Sequence, residues 1–576
     1  MRNERGIALV TVMLLAFALS ALSLGAAMMA SNSGLVRRYN ERLSVVNDAA
    51  LAGLEEARSR LNGTSTLWPS TSYTTLENGV PVYDAGGSVI PGLTRSTWAG
   101  PSGVSTGQYG IFGSIISQVN DNSNIRVVRR LEVNQESFAK YAYFTTIEGS
   151  IYFGGGDQIF GPVHSNDQIL IHSSGARFRD VVRTGEGISN PQYAVFDKGY
   201  ETGVPIIPMP TTTQLTALQT QAQYGNTYFP GYTSGGTGEV RTRVEFAAVD
   251  LNGDGDTSDE DEGFIKVYQG QGGGSTKFVT ALRESDMRNS ENCGDWNSAH
   301  ANLFLAAKDH PGSGGHDRTA ALTAANAKCF PGGDSNLTNG FVASNSDGAW
   351  VAWTGAVDSR LTTIKGAEAP YFHPISRALN PNFRGVVYVD GKVGISGTLR
   401  GRATVVSPTD IVILDNVKQV TDPALGICDD ILGLFAGQDV IVADNTINAP
   451  VNVTGTTWKT MRPVGNQDEY IHAIVLALDN FTVNNYNTGP TNKENCESTV
   501  WGRGCLRLTG GIIQRQRGAV GTTSGTGNLK RYSYNTCGVT DPPPYFPTTG
   551  YFSKNRFYEI NPIGFNVATW FATYQQ

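Results

Sequence analysis

At 576 residues with a formal net charge of −7, the chain is too long for one small domain. Its acidic balance argues against nucleic acid as the main partner, because a polyphosphate is repelled unless a separate basic patch is present, and the sequence shows none. Gly at 68 residues and hydrophobics at 40 % fit a β-rich, turn-rich body, and the lack of any CxxC or HxxxH spacing argues against zinc.

The first element is an apolar run, Gly6 to Ala30, with no charged residue and with Arg2 and Arg5 ahead of it. At about 1.5 Å per residue it spans about 37 Å, enough to cross a hydrocarbon core of about 30 Å. Basic residues before the run and a long chain after it predict a cytoplasmic amino terminus, an inner-membrane anchor and an exported body, periplasmic or at the cell surface. No strong turn signal appears before Leu61-Asn62-Gly63-Thr64, so the helix is expected to continue beyond the bilayer. In its second half Leu43, Val46, Ala50, Leu54, Ala57 and Leu61 recur at three- and four-residue intervals, giving an apolar face that needs a partner surface.

The order of a short basic leader ending in Arg5-Gly6, then Ile7-Ala8-Leu9-Val10-Thr11-Val12, then one long helix resembles the class III leader and stem of type IV pilins and type II secretion pseudopilins. It is most similar to PilX-type minor pilins. The resemblance implies cleavage after Gly6 by a prepilin peptidase, N-methylation of Ile7, and assembly with other pilins or pseudopilins through the helix around Thr11 and Val12. Most members of that family carry glutamate at the fifth mature position, where this chain has Thr11. A threonine hydroxyl can bond its own helix backbone in lipid, whereas a carboxylate there needs a partner. That departure favours a priming or tip position over bulk filament.

Residues 63–195 form a first β-rich block, with short strands and regular turns from Lys140 onward (YAYFTTIEG, SIYFGGG, QIFGPVHSN, QILIHSS). Residues 196–375 read as a loop-rich insertion with a helix at Thr211–Tyr224 that places Leu215, Leu218 and Ala222 on one face. Residues 376–576 are a second β-rich block with Val- and Ile-rich strands, closed by a cap in which Pro542–Pro544 and the following aromatics cover the end of the stack. The predicted fold is mainly β: a transmembrane and stem helix over 7–62 behind the 1–6 leader, then a parallel β-helix, or solenoid. A β-sandwich is the alternative, since it would use similar strands.

Within the insertion, Asp250-Leu-Asn252-Gly-Asp254-Gly-Asp256-Thr-Ser-Asp-Glu-Asp261-Glu262 carries seven acids and no base. Without it the net charge is −7 minus −7, or zero. Oxygen ligands at loop positions one, three and five, glycine at six and a carboxylate at twelve resemble a calcium loop, giving Asp250, Asn252, Asp254, Asp256 and Asp261 as ligands of a structural calcium ion. Aspartate replaces the usual glutamate at the twelfth position. Six cysteines, Cys293, Cys329, Cys428, Cys496, Cys505 and Cys537, lie in the part expected to be exported and suggest up to three disulfides, with the pairing left open. His164 and Ser165 of GPVHSN, with Asp167 nearby, invite a hydrolase reading, but adjacent strand residues point to opposite faces and cannot serve as base and nucleophile.

The whole sequence thus reads as a non-enzymatic minor pilin or pseudopilin-like component of a type IV pilus or type II secretion-like machine. It would display a β-solenoid for assembly or for adhesion to a surface ligand. The alternative is a membrane-tethered β-helix enzyme or binding protein acting on polysaccharide.

Overall fold

The computed structural model describes residues 4–69, 72–103, 108, 110–231, 240, 242–270, 343, 348–443, 469–484, 486–487, 505–522 and 526–573. The chain divides into two compact units, one of residues 1–105, 111–135 and 550–576, the other of 106–110 and 136–549.

The first unit is built on the long helix Glu4–Gly63, which runs unbroken through Ser31–Gly34. Two halves of this helix meet different surroundings. From Ala8 onward its apolar side chains are exposed, among them Leu15, Phe17, Leu22 and Met29, whereas Val46, Ala50, Leu54, Ala57 and Leu61 are buried. The hydroxyls of Ser20 and Ser23 bond the carbonyls of Ala16 and Leu19 one turn back, which suits an apolar surrounding.

Five strands receive the buried half, in the order Thr74–Tyr83, Val89–Pro101, Phe112–Asp121, Arg126–Ser137 and Thr548–Ile560. The first four form antiparallel pairs. Alternation sorts their side chains onto two faces. Leu54, Ala57 and Leu61 pack with Ala99, Ile115, Leu131 and Val133, while Ile116 and Val128 belong to a separate cluster with Phe571 of the short helix Val567–Ala572. Helix and sheet approach closely at Gly53, where an added Cβ would lie 2.5 Å from the Arg95 side chain. Arg95 is itself buried and bonds Glu56 of the helix and Glu77 of the first strand.

Farther up the helix Arg42 pairs with Asp121 at 2.6 Å. Its hydrogen bonds hold the Asp121 carboxyl down at about 2, below its ordinary 3.8. A carboxylate with a depressed folded-state value contributes stability that is present above the unfolded value and lost as pH falls toward the folded one. Melting of the first unit should therefore become easier between about pH 4 and pH 2, and Asp121→Asn should flatten that acid limb while lowering stability at neutral pH. Thermal melting across that range checks both.

The second unit is mainly β and its ladders are largely parallel. Val163–Ser165 lies between Tyr143–Ile147 and Val182–Thr184, and Val182–Thr184 in turn pairs Tyr200–Thr202. Beside them run Asp157–Ile159, Ala176–Phe178 and Ala194–Phe196. The later strands build equivalent ladders, as in Val386–Val389 with Arg402–Ser407, then Ile431–Ala436, then Ile474–Val483. One continuous apolar core runs inside, from Phe153, Val163 and Phe178 to Val387, Leu434, Val475 and Ile512.

The expected solenoid is not what these strands make. They form a closed seven-stranded parallel barrel rather than an open array. Long strands share partners among the ladders: Ile411–Gln419 pairs both Val440–Val442 and Glu469–Ile471, these pair Ile474–Val483 and Cys505–Gln516 respectively, and the last two pair each other. The physical cause is bending in long strands. Ile474–Val483 shifts register between Ala477 and Asn480, so its first half joins one ladder and its second half another. Predominantly parallel pairing also excludes the alternative β-sandwich.

Two further expectations change. The 196–375 segment is not wholly an insertion, because Tyr228–Phe229 and Thr242–Ala248 pair in parallel with Val386–Val389 and Val393–Leu399. Within it, the helix Thr213–Tyr224 buries Leu215, Leu218 and Ala222 as their spacing predicts. The proline run does not cap an open end. Pro543 and Phe546 sit against Gly433, and Pro544 against Gly385, so the run lies along ladder strands whose glycines leave room for it.

Candidate functional site

The acidic loop is the connection of an antiparallel hairpin, Thr242–Ala248 with Gly263–Gly270, closed by the Val249 amide on the Glu262 carbonyl at 3.0 Å. Buried Val249 and Leu251 fix its base, while Asn252, Asp254 and Asp256 are exposed. The loop folds through successive side-chain turns. Asp250 accepts from the Gly253 and Gly255 amides at 2.6 and 3.0 Å, Asn252 from Asp254, Asp254 from Asp256, and Asp256 from Ser258. Gly253 and Gly255 both have positive φ, at 78° and 95°, so these turns need residues without a Cβ. The Ser258 amide holds the Asp256 carboxyl below its ordinary range.

Four of the five sequence-derived ligands, Asp250, Asn252, Asp254 and Asp256, therefore share this run of turns and present hard oxygen donors. Asp261 is engaged elsewhere, in an ion pair with Arg360 at 2.6 Å, and Arg360 also holds Asp358. Among the described residues, no group of three or more His, Cys, Asp or Glu side chains converges as a metal site. Glu262 is the residue that sequence reasoning passed over. It is buried, accepts from the amides of Leu251 and Asp259, and completes a reciprocal cap with Asp259. The D-x-x-E spacing of Asp259 and Glu262 was the available signal. Arg400 donates to the Asp259 carbonyl at 3.1 Å and to buried Asp430 at 2.8 Å, tying the loop to the ladders.

The GPVHSN stretch has a structural geometry. His164 is buried, stacks on Phe144, and meets the Asn166 side chain through Nε2 at 3.0 Å. Burial holds its imidazole below the ordinary value, so it is neutral near pH 7. Ser165 instead bonds Thr145 and receives the Asp167 amide. Asn166 donates to the Ile207 carbonyl at 2.7 Å and accepts from the Ile207 amide at 2.9 Å, clamping a proline-punctuated segment to the strand end.

Of the cysteines, Cys428 and Cys537 form a disulfide, Cys505 is also disulfide-bonded, and Cys293, Cys329 and Cys496 lie outside the described residues. Gly6, Ile7, Thr11 and Val12 all lie in the long helix, with Val12 63 % exposed. No protein-family model, curated protein or solved structure matches the chain.

Replacing Asn166 by alanine removes both bonds to Ile207 and leaves that backbone pair short of partners. The expected loss is about 1–3 kcal/mol of stability, read as a lower melting temperature and faster proteolysis between Val204 and Thr213.

Proposed function

We propose that the protein is a membrane-anchored subunit of pilin-like build. Its N-terminal helix holds it in the inner membrane and associates there with the helices of other pilins or pseudopilins, and its β body lies on the exported side. The observation that carries this reading is the division of one continuous helix into an exposed apolar half and a half buried against an antiparallel sheet. In lipid the exposed half gains no hydrophobic driving force toward a neighbouring helix, so association rests on packing. The residues around Thr11 and Val12 supply that contact. The role first assigned to the body, an open solenoid face for assembly or adhesion, falls with the closed barrel, as does the polysaccharide groove of a β-helix enzyme.

The mass of the N-terminal peptide, taken from protein extracted from its own cells, tests the proposal. A chain that begins at N-methylated Ile7 is the expected result. An intact Met1 would remove the prepilin-type processing, and a start near Met28 or Ser31 would remove the anchor itself.

The same reading includes a structural calcium ion on the acidic loop, held by Asp250, Asn252, Asp254 and Asp256. Support comes from the donor chemistry, since four hard oxygen side chains follow one another in a single turn system that seven like charges would otherwise oppose. The ion would neutralise part of that charge, and Arg360 already neutralises Asp261. Chelation should lower the melting temperature of the wild type, with Asp254→Ala abolishing the difference. Identical melting of the wild type with and without chelator would remove calcium from the account.

A further inference from the structure

The second unit begins its ladders in the middle. Tyr143–Ile147 and Asp157–Ile159, the first strands in sequence, pair on one side with strands that follow them closely and on the other with Cys505–Gln516 and Leu529–Tyr534. The chain thus has a seam at which residues about 370 positions apart must find one another.

Two ion pairs cross that seam in the interior. Arg517 Nη1 meets Glu148 Oε2 at 3.0 Å, and Lys530 Nζ meets Asp157 Oδ2 at 3.1 Å. Glu148 and Arg517 are 0 % and 5 % exposed and Asp157 is 5 % exposed, while the Lys530 side chain is partly buried at 15 %. Arg517 also donates to the carbonyls of Ile151 and Tyr152 and lies 3.7 Å from the Phe153 ring centroid. Glu148 accepts from Thr145, and Asp157 from the Gly154 amide. Both cations come from the late part of the chain and both anions from the early part, with Glu148 and Arg517 each one residue past a strand end.

The neighbouring strands do not offer the same partners. One strand farther along, Ala176 stands in register with Asp157, and beyond it Ala194. Ser165 is in register with Thr145, and just beyond it Asp167 accepts from the Glu148 amide at 2.9 Å. Other positions in these ladders are apolar at either level: Tyr143 pairs Val163, and Ile159 pairs Phe178. Hydrophobic burial alone would accept the late strands at either level. A lysine docked one strand out of place would face Ala176 where Asp157 now stands.

We infer that the Glu148–Arg517 and Asp157–Lys530 pairs are a register lock, which directs the last strands of the body onto its first strands and onto no others. Buried ion pairs are seldom net stabilisers compared with apolar residues of similar volume, and fixing register is their best attested use. The lock is independent of calcium and of the membrane helix.

Cysteine reporters in the full-length protein in detergent read the register directly. Gln158 faces Arg531 across the seam, and Arg177 faces Gln158 one strand farther on. Adjacent strands are about 4.8 Å apart, so Gln158→Cys with Arg531→Cys should cross-link, while Arg177→Cys with Arg531→Cys, about 10 Å apart, should not. Peptide mapping identifies which bond forms. Replacing all four charges (Glu148→Leu, Arg517→Met, Asp157→Leu, Lys530→Met) should produce the 177–531 bond alongside the 158–531 bond. The exchange Asp157→Lys with Lys530→Asp, with the other pair intact, should restore the 158–531 bond alone and guards against a quadruple variant that does not fold. A folded quadruple variant with only the 158–531 bond would overturn the inference, and so would a charge exchange that loses that bond.

Discussion

Parallel strands cannot be joined by a tight hairpin, and this constraint governs the large unit. Each parallel strand must find its partner a full crossover away, as Val163 does with Val182 and Val182 with Tyr200. Closure adds a stricter demand, because the last strands complete ladders begun by the first. Local contacts cannot guide that step, and loop-closure entropy opposes it until non-local pairing is made. The Cys428–Cys537 disulfide closes a span of 109 residues within this part and reduces the entropy its unfolded chain can gain.

The first unit solves a different problem. Its helix must be comfortable without protein contact over the amino half and must dock over the carboxyl half. The switch is made by side chains alone, since the backbone continues through Ser31–Gly34 without a break. Past that point the apolar stripe is matched by the alternation of Ile115, Leu131 and Val133, and the close approach at Gly53 lets buried Arg95 reach both Glu56 and Glu77. A sheet covered on one face by this helix also buries Ile116 and Val128 in a cluster with Phe571.

How much of this was legible follows from the range of each signal. The 3.6-residue spacing of Val46, Ala50, Leu54 and Leu61 is local and marked the docking face, as Leu215, Leu218 and Ala222 marked the helix of the 196–375 segment. Val- and Ile-rich runs such as Ile411–Leu414 announced buried strands, yet such runs serve any parallel sheet equally. One strand passes from one ladder to another at a register shift between Ala477 and Asn480, and Asp479-Asn480 in a sequence does not announce a bend. At the acidic loop, the order of oxygen donors displayed the turns. The diversion of Asp261 to Arg360 was invisible, because it depends on a helix about 100 residues later in the chain.

The same reasoning accounts for where charge is buried in the large unit. An apolar strand interior discriminates poorly between neighbours of similar volume, so a barrel built from Val, Ile, Leu and Phe has many near-equivalent pairings. A charged group removes that degeneracy, since its desolvation is tolerable only where an opposite charge and hydrogen-bond donors wait for it. Asp430 follows this rule: it is almost wholly buried, and Arg400 and the amides of Gly401 and Thr421 meet its oxygens. Arg400 reaches in turn to the Asp259 carbonyl, so the base of the acidic loop is tied to the ladder interior. The groups that fix the base of the hairpin, Glu262, Leu251 and Arg400, are those withdrawn from water.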